Sequence, residues 1–397
     1  MIRIDNIQQA NLDFIPIDSF WNTGKDKEHK MHRIHAYPAK FPAFITTKAL
    51  DFATGNNVEI THVADVFCGC GTVAYEAKRN NIDFWGCDIN PVATMIARTK
   101  SHKHQPWRLR KYYEVILEMF AQSKSEDTYD AANERLKYWY DREHYEDIFR
   151  LKSAIEKSTP SASNYRLFFI CSFSNILKAT SRWLTKSIKP QVDPHKQPAD
   201  VLAAFKVQCK SMIMANDESG ATGDSTTEII TGSLLDSSIK IPQVDMIITS
   251  PPYVTSYEYA DLHQLSTIWF DLADDLREYR KDFIGTSYKR YKDKKLQSMI
   301  GQRIVNRMFK KNQKMAKEIE AFFIDMQKVF DESFRILKPE GRCCYVIGNT
   351  RLKGVGILNA EVFAESLQYS GFKLDRIIKR EIPSKILPQK RDEKTGR

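Results

Sequence analysis

The chain has 397 residues, 42% hydrophobic and 28% charged, a balance that belongs to an ordinary globular protein long enough to bury a sizeable core. No apolar run approaches the roughly 18 residues that a bilayer helix needs. The amino terminus lacks the basic-then-apolar pattern of a secretory leader, so the reading is of a cytoplasmic protein without a membrane role. The formal net charge of +10 points to an anionic partner. The seven cysteines show no C-x-x-C pair, and we expect neither disulfides nor a zinc site.

Residues 1–101 are expected to hold the first part of a parallel α/β sheet. The run 62–67 reads as a strand, 72–80 as a helix, 83–87 as a second strand and 92–100 as the next helix, with Pro91 suited to its first turn. Residues 102–215 change to long amphipathic patterns, notably 130–155 and 164–183, and predict a helical insertion. A polar linker over 216–227 closes this second segment, 102–227. The α/β rhythm resumes over 228–253, with strands at 228–231 and 244–249. Residues 254–330 form a second, basic excursion, and 331–397 are expected to finish the sheet with strands at 342–348 and within 372–382.

The first strand runs into Asp65-Val66-Phe67-Cys68-Gly69-Cys70-Gly71-Thr72 and opens a helix. Gly69 and Gly71 lack a Cβ, so the backbone can turn tightly and approach a ligand closely. The second strand ends at Asp88-Ile89-Asn90, where a carboxylate can accept both hydroxyls of a ribose. This pairing fits a nucleoside cofactor. No Gly-Lys-Ser/Thr follows, so a phosphate-gripping loop is excluded, and Ala74 stands where a dinucleotide fingerprint prefers its third glycine.

Ser250-Pro251-Pro252-Tyr253 follows an apolar strand and belongs at the carboxyl edge of the sheet, where open α/β folds bind ligands. The Ser250 hydroxyl and the Pro251 carbonyl are hydrogen-bond acceptors that could draw on the N–H groups of an amine. The two prolines stiffen the loop, and Tyr253 offers a flat face for stacking. Between Lys281 and Lys317 stand twelve basic residues against two acids, with Tyr288, Tyr291 and Phe309 interleaved. From this cluster Lys289, Arg290, Lys294, Lys295, Arg303, Arg307, Lys310 and Lys311 are candidate phosphate contacts. His32, His35 and His263 share no metal-like spacing and are read as packing or DNA-contact residues, so no metal is expected.

At these motifs the chain resembles the DNA amino-methyltransferases, specifically the cytosine-N4 type whose catalytic loop reads Ser-Pro-Pro-Tyr. The resemblance implies a Rossmann-like sheet, S-adenosylmethionine as cofactor and a base flipped out of double-stranded DNA as substrate. It assigns Ser250, Pro251, Pro252 and Tyr253 to catalysis. To the cofactor it assigns Asp65, Phe67, Cys68, Gly69, Gly71, Thr72, Asp88, Ile89 and Asn90. By the same likeness Tyr37, Pro38, Lys40 and Phe41 sit beside the methionine end, and Asp236 contacts the adenine. A cognate restriction enzyme or other defence system is the implied partner. The order of motifs, cofactor turn before catalytic loop, departs from the arrangement usual for much of this type. Adenine-N6 transfer, an RNA base as acceptor, or a silent DNA-binding regulator on the same scaffold remain the alternatives. Methylation at cytosine carbon 5 is excluded, because no Pro-Cys pair is present to supply its nucleophile.

Overall fold

The computed structural model describes residues 12–24, 27–37, 40–55, 59–124, 128–184, 190–219, 223–254, 263–272, 283–285 and 295–382. Its centre is a five-stranded parallel sheet built from β1 (His62–Asp65), β2 (Asp83–Asp88), β3 (Thr227–Thr231), β4 (Val244–Thr249) and β5 (Leu337–Tyr345), in the order β3-β2-β1-β4-β5. The chain winds outward from β1 through β2 to β3, then returns to the other side of β1 as β4. That reversal makes the β1/β4 boundary the topological switch point, whose carboxyl side is the natural ligand crevice of an open α/β sheet.

Successive side chains of a strand alternate between faces, and the buried runs here divide accordingly. Val63, Phe84, Met246 and Ile248 pack with Ile45 and Leu50 of α1 (Ala43–Thr54), Val73 and Ala77 of α2 (Thr72–Arg79) and Ala97 of α3 (Pro91–Ser101). Ala64, Trp85 and Ile247 face the opposite layer. The helices of the 102–215 segment are α4 (Pro106–Gln122), α5 (Glu134–Trp139), α6 (Arg142–Ser158), α7 (Asn164–Ile176) and α8 (Val201–Glu218). After β4 come α9 (Gln264–Trp269), α10 (Met299–Phe309), α11 (Gln313–Ile336), the β6–β7 hairpin (Thr350–Leu352 and Val355–Ile357) and α12 (Asn359–Tyr369). Ile304 of α10, Phe323 and Phe330 of α11 and Phe363 of α12 cover the second face of the sheet.

β4 is tied to β1 at both ends. Near its start, Asp245 Oδ2 accepts the N–H groups of Thr61 and His62 and the Thr61 hydroxyl, all at 2.8–2.9 Å. At its end, Thr249 Oγ1 donates to Asp65 Oδ1 at 2.6 Å. Two anchors on adjacent strands leave little freedom to slide, so the segments that leave β1 and β4 emerge in fixed register.

Three expectations need correction. The 216–227 linker begins later than expected, because α8 runs on to Glu218 and Asn216 is fully buried. Its side chain clamps the backbone N–H and carbonyl of His104 at 2.9 Å each, which a polar composition does not reveal. The stretch 372–382 forms no strand of the sheet, its pairing being an isolated bridge between Ile17 and Lys379. The 254–330 excursion is divided: Leu265 and Trp269 of α9 join the core of the helical segment, whereas α10 packs on the sheet side. That helical core also takes in Met31, Ile34, Tyr75, Val92 and Ile96, so 102–215 is fused to the α2–α3 face.

Candidate active site

The turn after β1 is built around two glycines with different jobs. Gly71 has φ +73° and caps α2, and a Cβ there would lie 2.6 Å from Ala97 Cβ, so its missing side chain lets α2 and α3 approach. Gly69, at φ +47°, adopts a left-handed conformation that favours glycine, and a Cβ there would meet the Tyr37 hydroxyl and ring edge at 3.7–3.9 Å, so Tyr37 packs over the turn.

Asp88 ends β2 beside this turn. Its Oδ2 accepts the Gly69 N–H and its Oδ1 the Asn90 N–H, each at 2.9 Å, which fixes the carboxylate and still leaves both oxygens able to accept hydroxyls. Burial pushes its pKa up to about 6, against the two N–H bonds that favour the charged form. Asp65 is buried more deeply, and burial pushes it up to about 7 despite the bonds from Thr249 and the Phe67 N–H. Asn90 caps α3 by accepting from the Val92 and Ala93 N–H groups. Its Nδ2 and the Thr72 hydroxyl are buried with no hydrogen-bond partner among the described residues. Buried polar atoms left this way cost about 1–3 kcal/mol each.

The loop after β4 presents a different chemistry. Ser250 Oγ donates to the Val346 carbonyl at 3.0 Å, which commits its proton and leaves its lone pairs as acceptors. Pro251 is buried and Pro252 half-buried. The Tyr253 ring lies against Gly348, whose added Cβ would meet it at 3.5 Å, and Asn359 holds the Gly348 carbonyl from behind at 2.9 Å. Burial raises the Tyr253 phenol, with Arg380 opposing it, so the ring is neutral across the physiological range.

The remaining candidates are distributed as follows. Tyr37 lies over the turn, Phe41 packs against the core shared by α1, α2 and the sheet, and the Lys40 ammonium is engaged by Glu28 at 2.6 Å and the His32 carbonyl at 2.9 Å. Phe67 packs against the core on the other face of the sheet, as do Leu235 and Ile239 from the loop after β3, and the Gly232 N–H ties that loop to the Asp88 carbonyl at 3.0 Å. Cys68 is buried, which pushes its thiol well up, and Ile89 is half-buried beside Asp88. Asp236 is exposed and turned onto Ser238, at the rim of a cleft of about 680 Å³ that reaches to α11. Pro38, Lys289, Arg290 and Lys294 lie outside the described residues. Lys295, Arg303, Arg307, Lys310 and Lys311 are all exposed. On α10, Ile300, Ile304 and Met308 turn inward, which leaves Arg303 and Arg307 on its outer side at four-residue spacing, with Lys310 and Lys311 just beyond its last residue.

Sequence reasoning missed Thr249, a polar residue closing an otherwise apolar strand, whose position was the available signal. It also missed the share taken by the helical segment. His35 Nε2 pairs with Ser174 Oγ of α7 at 3.0 Å, and Asn175 accepts the Ala36 N–H at 2.8 Å, so α7 holds the stretch that presents Tyr37.

A parallel sheet with a glycine turn after β1, a carboxylate ending β2 and a hydroxyl-bearing loop after β4 defines the class, a Rossmann-like methyltransferase fold. The family model described as D12 class N6 adenine-specific DNA methyltransferase matches residues 53–323, well over half of the chain, and the chain belongs to this family. It is thus an S-adenosylmethionine-dependent DNA methyltransferase. Among curated relatives, Type II methyltransferase M.MvaI of Kocuria varians is 23% identical over 98% of this chain and 91% of its own length. Type II methyltransferase M.AvaI of Anabaena variabilis is 26% identical over 34% of this chain and 32% of its own. Among solved structures, the rRNA methyltransferase aviRa of Streptomyces viridochromogenes aligns with 62% of this chain and 80% of its own, at 12% identity and a TM-score of 0.26. This family is described as adenine-N6 specific, whereas the loop resemblance points to cytosine N4.

The residues present fit the cofactor: a fixed carboxylate able to accept ribose hydroxyls, and two buried polar atoms, on Asn90 and Thr72, with no partner among the described residues. When bound, S-adenosylmethionine supplies an electrophilic methyl group on a sulfonium.

Proposed function

We propose that this chain methylates the exocyclic N4 of a cytosine flipped out of duplex DNA. What supports the reading is the Ser250-Pro251-Pro252-Tyr253 loop: its likeness to the cytosine-N4 type favours that amine, and the Ser250 proton is committed to the Val346 carbonyl, so its oxygen is an acceptor just past the strand that pairs with β1. An exocyclic base amine is a poor nucleophile because its lone pair is delocalised into the ring. Acceptors on its N–H groups, here Ser250 Oγ and the stiffened Pro251 carbonyl, favour the pyramidal geometry that frees the lone pair. Tyr253, backed by Gly348, gives the extruded base a stacking face that offsets part of the few kcal/mol lost on unstacking. Asp88, Asn90, Thr72 and the Gly69 turn hold the cofactor. The α10 stripe with Lys295 and Lys310 contacts phosphates. The Type II names of the relatives support protection of DNA beside a cognate restriction nuclease.

Adenine N6 is the second reading, favoured by the class of the matching family model. The same acceptor chemistry serves either amine. Reaction with duplex DNA, digestion to nucleosides and mass analysis separates the two: N4-methylcytosine supports the first reading, N6-methyladenine replaces it with the second, and an unmodified product after prolonged reaction refutes both.

A further inference from the structure

The turn after β1 holds a pair of buried nucleophiles that neither the cofactor reading nor the chemistry of the Ser250 loop uses. Cys70 stands between Gly69 and Gly71 and packs into the core of the helical segment, whereas Cys68 packs into the core on the α1 side. Lys100, in the last turn of α3, is 2% exposed, and Cys70 is 4% exposed. Lys100 Nζ donates to Cys70 Sγ at 3.6 Å, and among the described residues it makes no ion pair. The other groups in electrostatic contact with it are His32, His35 and Cys171 of α7, and burial keeps all three uncharged at neutral pH. A buried amine is costly without a partner, so the thiol is what holds it. The backbone reinforces the contact. Ala97, one turn before Lys100 on the same face of α3, lies so close to Gly71 that a Cβ there would come within 2.6 Å of Ala97 Cβ. Helix and turn therefore meet at two adjacent points, which keeps Nζ and Sγ facing one another.

We propose that Cys70 and Lys100 form a covalent modification site, at which hydrogen peroxide joins them through one oxygen as an Nζ–O–Sγ cross-link. Peroxide is little larger than water and reaches the pair when the turn opens locally. The thiol enters the oxidation ladder at the sulfenic acid, and the adjacent amine captures the oxidised sulfur before it climbs further. The balance is one neutral amine, one thiol and two peroxides giving one cross-link and three waters. One N–H, one S–H and both peroxide O–O bonds break, an N–O and an O–S bond form, and four electrons pass to the peroxides. Closing the link asks the two atoms to approach by about 1 Å, which the flexible lysine stem allows. Drawing Cys70 toward α3 shifts the neighbouring Gly69 N–H, which Asp88 accepts at 2.9 Å. Oxidant therefore weakens donor binding, a consequence that rests on the cofactor reading of this turn, whereas the cross-link does not.

The test is peptide mass mapping of the full chain after treatment with hydrogen peroxide and digestion without reductant. The expected product is the Cys70 and Lys100 peptides joined, about 14 Da above their summed mass, and returned to the starting masses by dithiothreitol. Cys70→Ser and Lys100→Met each abolish it. A parent chain in which Cys70 stays a thiol, or reaches the sulfinic acid about 32 Da heavier with the Lys100 peptide unchanged, overturns the proposal. Calorimetry on the same samples reads the consequence. Cross-linked parent binds S-adenosylmethionine at least about threefold more weakly than untreated parent, while peroxide leaves the affinity of Cys70→Ser unchanged. Equal affinity before and after cross-linking overturns the control of donor binding. A folded parent chain that binds no donor before oxidation overturns the cofactor reading, and the mass readout still decides the cross-link.

Discussion

The two sides of the switch point are built from opposite chemistry. At the ends of β1 and β2 stand two carboxylates, Asp65 and Asp88, each held by donors and each raised by burial. At the end of β4 the loop offers a hydroxyl with its proton committed, a fixed carbonyl and a neutral tyrosine. The difference teaches how the work is divided. A carboxylate can accept the hydroxyls of a ribose, whereas the hydroxyl and carbonyl of the loop can accept the N–H groups of a base amine. Thr249, bonded to Asp65, is the hinge between the two halves.

The comparison breaks most visibly at the loop. Tyr253→Ala lowers methyl transfer about 100-fold or more while cofactor affinity stays within about twofold, as initial rates and calorimetry together will show. On the outer surface, glutamate at Arg303, Arg307, Lys310 and Lys311 lowers DNA affinity at least about tenfold. It also flattens the salt dependence by about one unit of log–log slope per lost phosphate contact, read by fluorescence anisotropy across a salt series. An unchanged slope removes α10 from the DNA interface. The cofactor side sharpens with pH. Asp88 accepts ribose hydroxyls best when ionised, so affinity for S-adenosylmethionine falls as pH drops through about 6, and Asp88→Asn flattens that profile. Asp65 gives the smallest effect. Its folded pKa of about 7 exceeds its ordinary 3.8, so the folded state holds the proton more tightly. Its contribution to stability is therefore full below about pH 4 and is lost as pH rises toward about 7, an effect of at most a few kcal/mol. Asp65→Asn keeps an acceptor without the charge. In thermal melts of the ligand-free chain it removes this part of the decline between about pH 4 and pH 7.

Much of the sheet was legible because its strands are short apolar runs closed by turn residues. The 244–249 strand stands where periodicity put it, and the 62–67 run shortens to His62–Asp65 as the glycine turn begins. Less of the site was legible. Gly69 and Gly71 look equivalent in a motif, and only the structure shows that a side chain at Gly71 would collide with Ala97 while one at Gly69 would meet Tyr37 at ordinary contact distance. Lys40 reads as a cofactor residue by likeness, but its ammonium is turned onto Glu28 and His32, a pairing between residues far enough apart that no local pattern announces it. Asn216 reads as linker for the same reason, its clamp on His104 being a tertiary contact. His263 reads as a packing or DNA-contact residue, but the ring it meets, Tyr37, is a tertiary contact without a local signal. Likeness named the residues of the two strand ends, while the contacts that orient them come from segments outside the motifs.

The division of labour is tested most directly by measuring donor affinity and the single-turnover rate of methyl transfer for Asp88→Ala and Ser250→Ala side by side. The account predicts opposite splits: Asp88→Ala loses affinity about tenfold or more and recovers most of its rate at saturating donor, while Ser250→Ala binds the donor as the parent does and loses the rate. Equal loss of donor binding in both variants would contradict it.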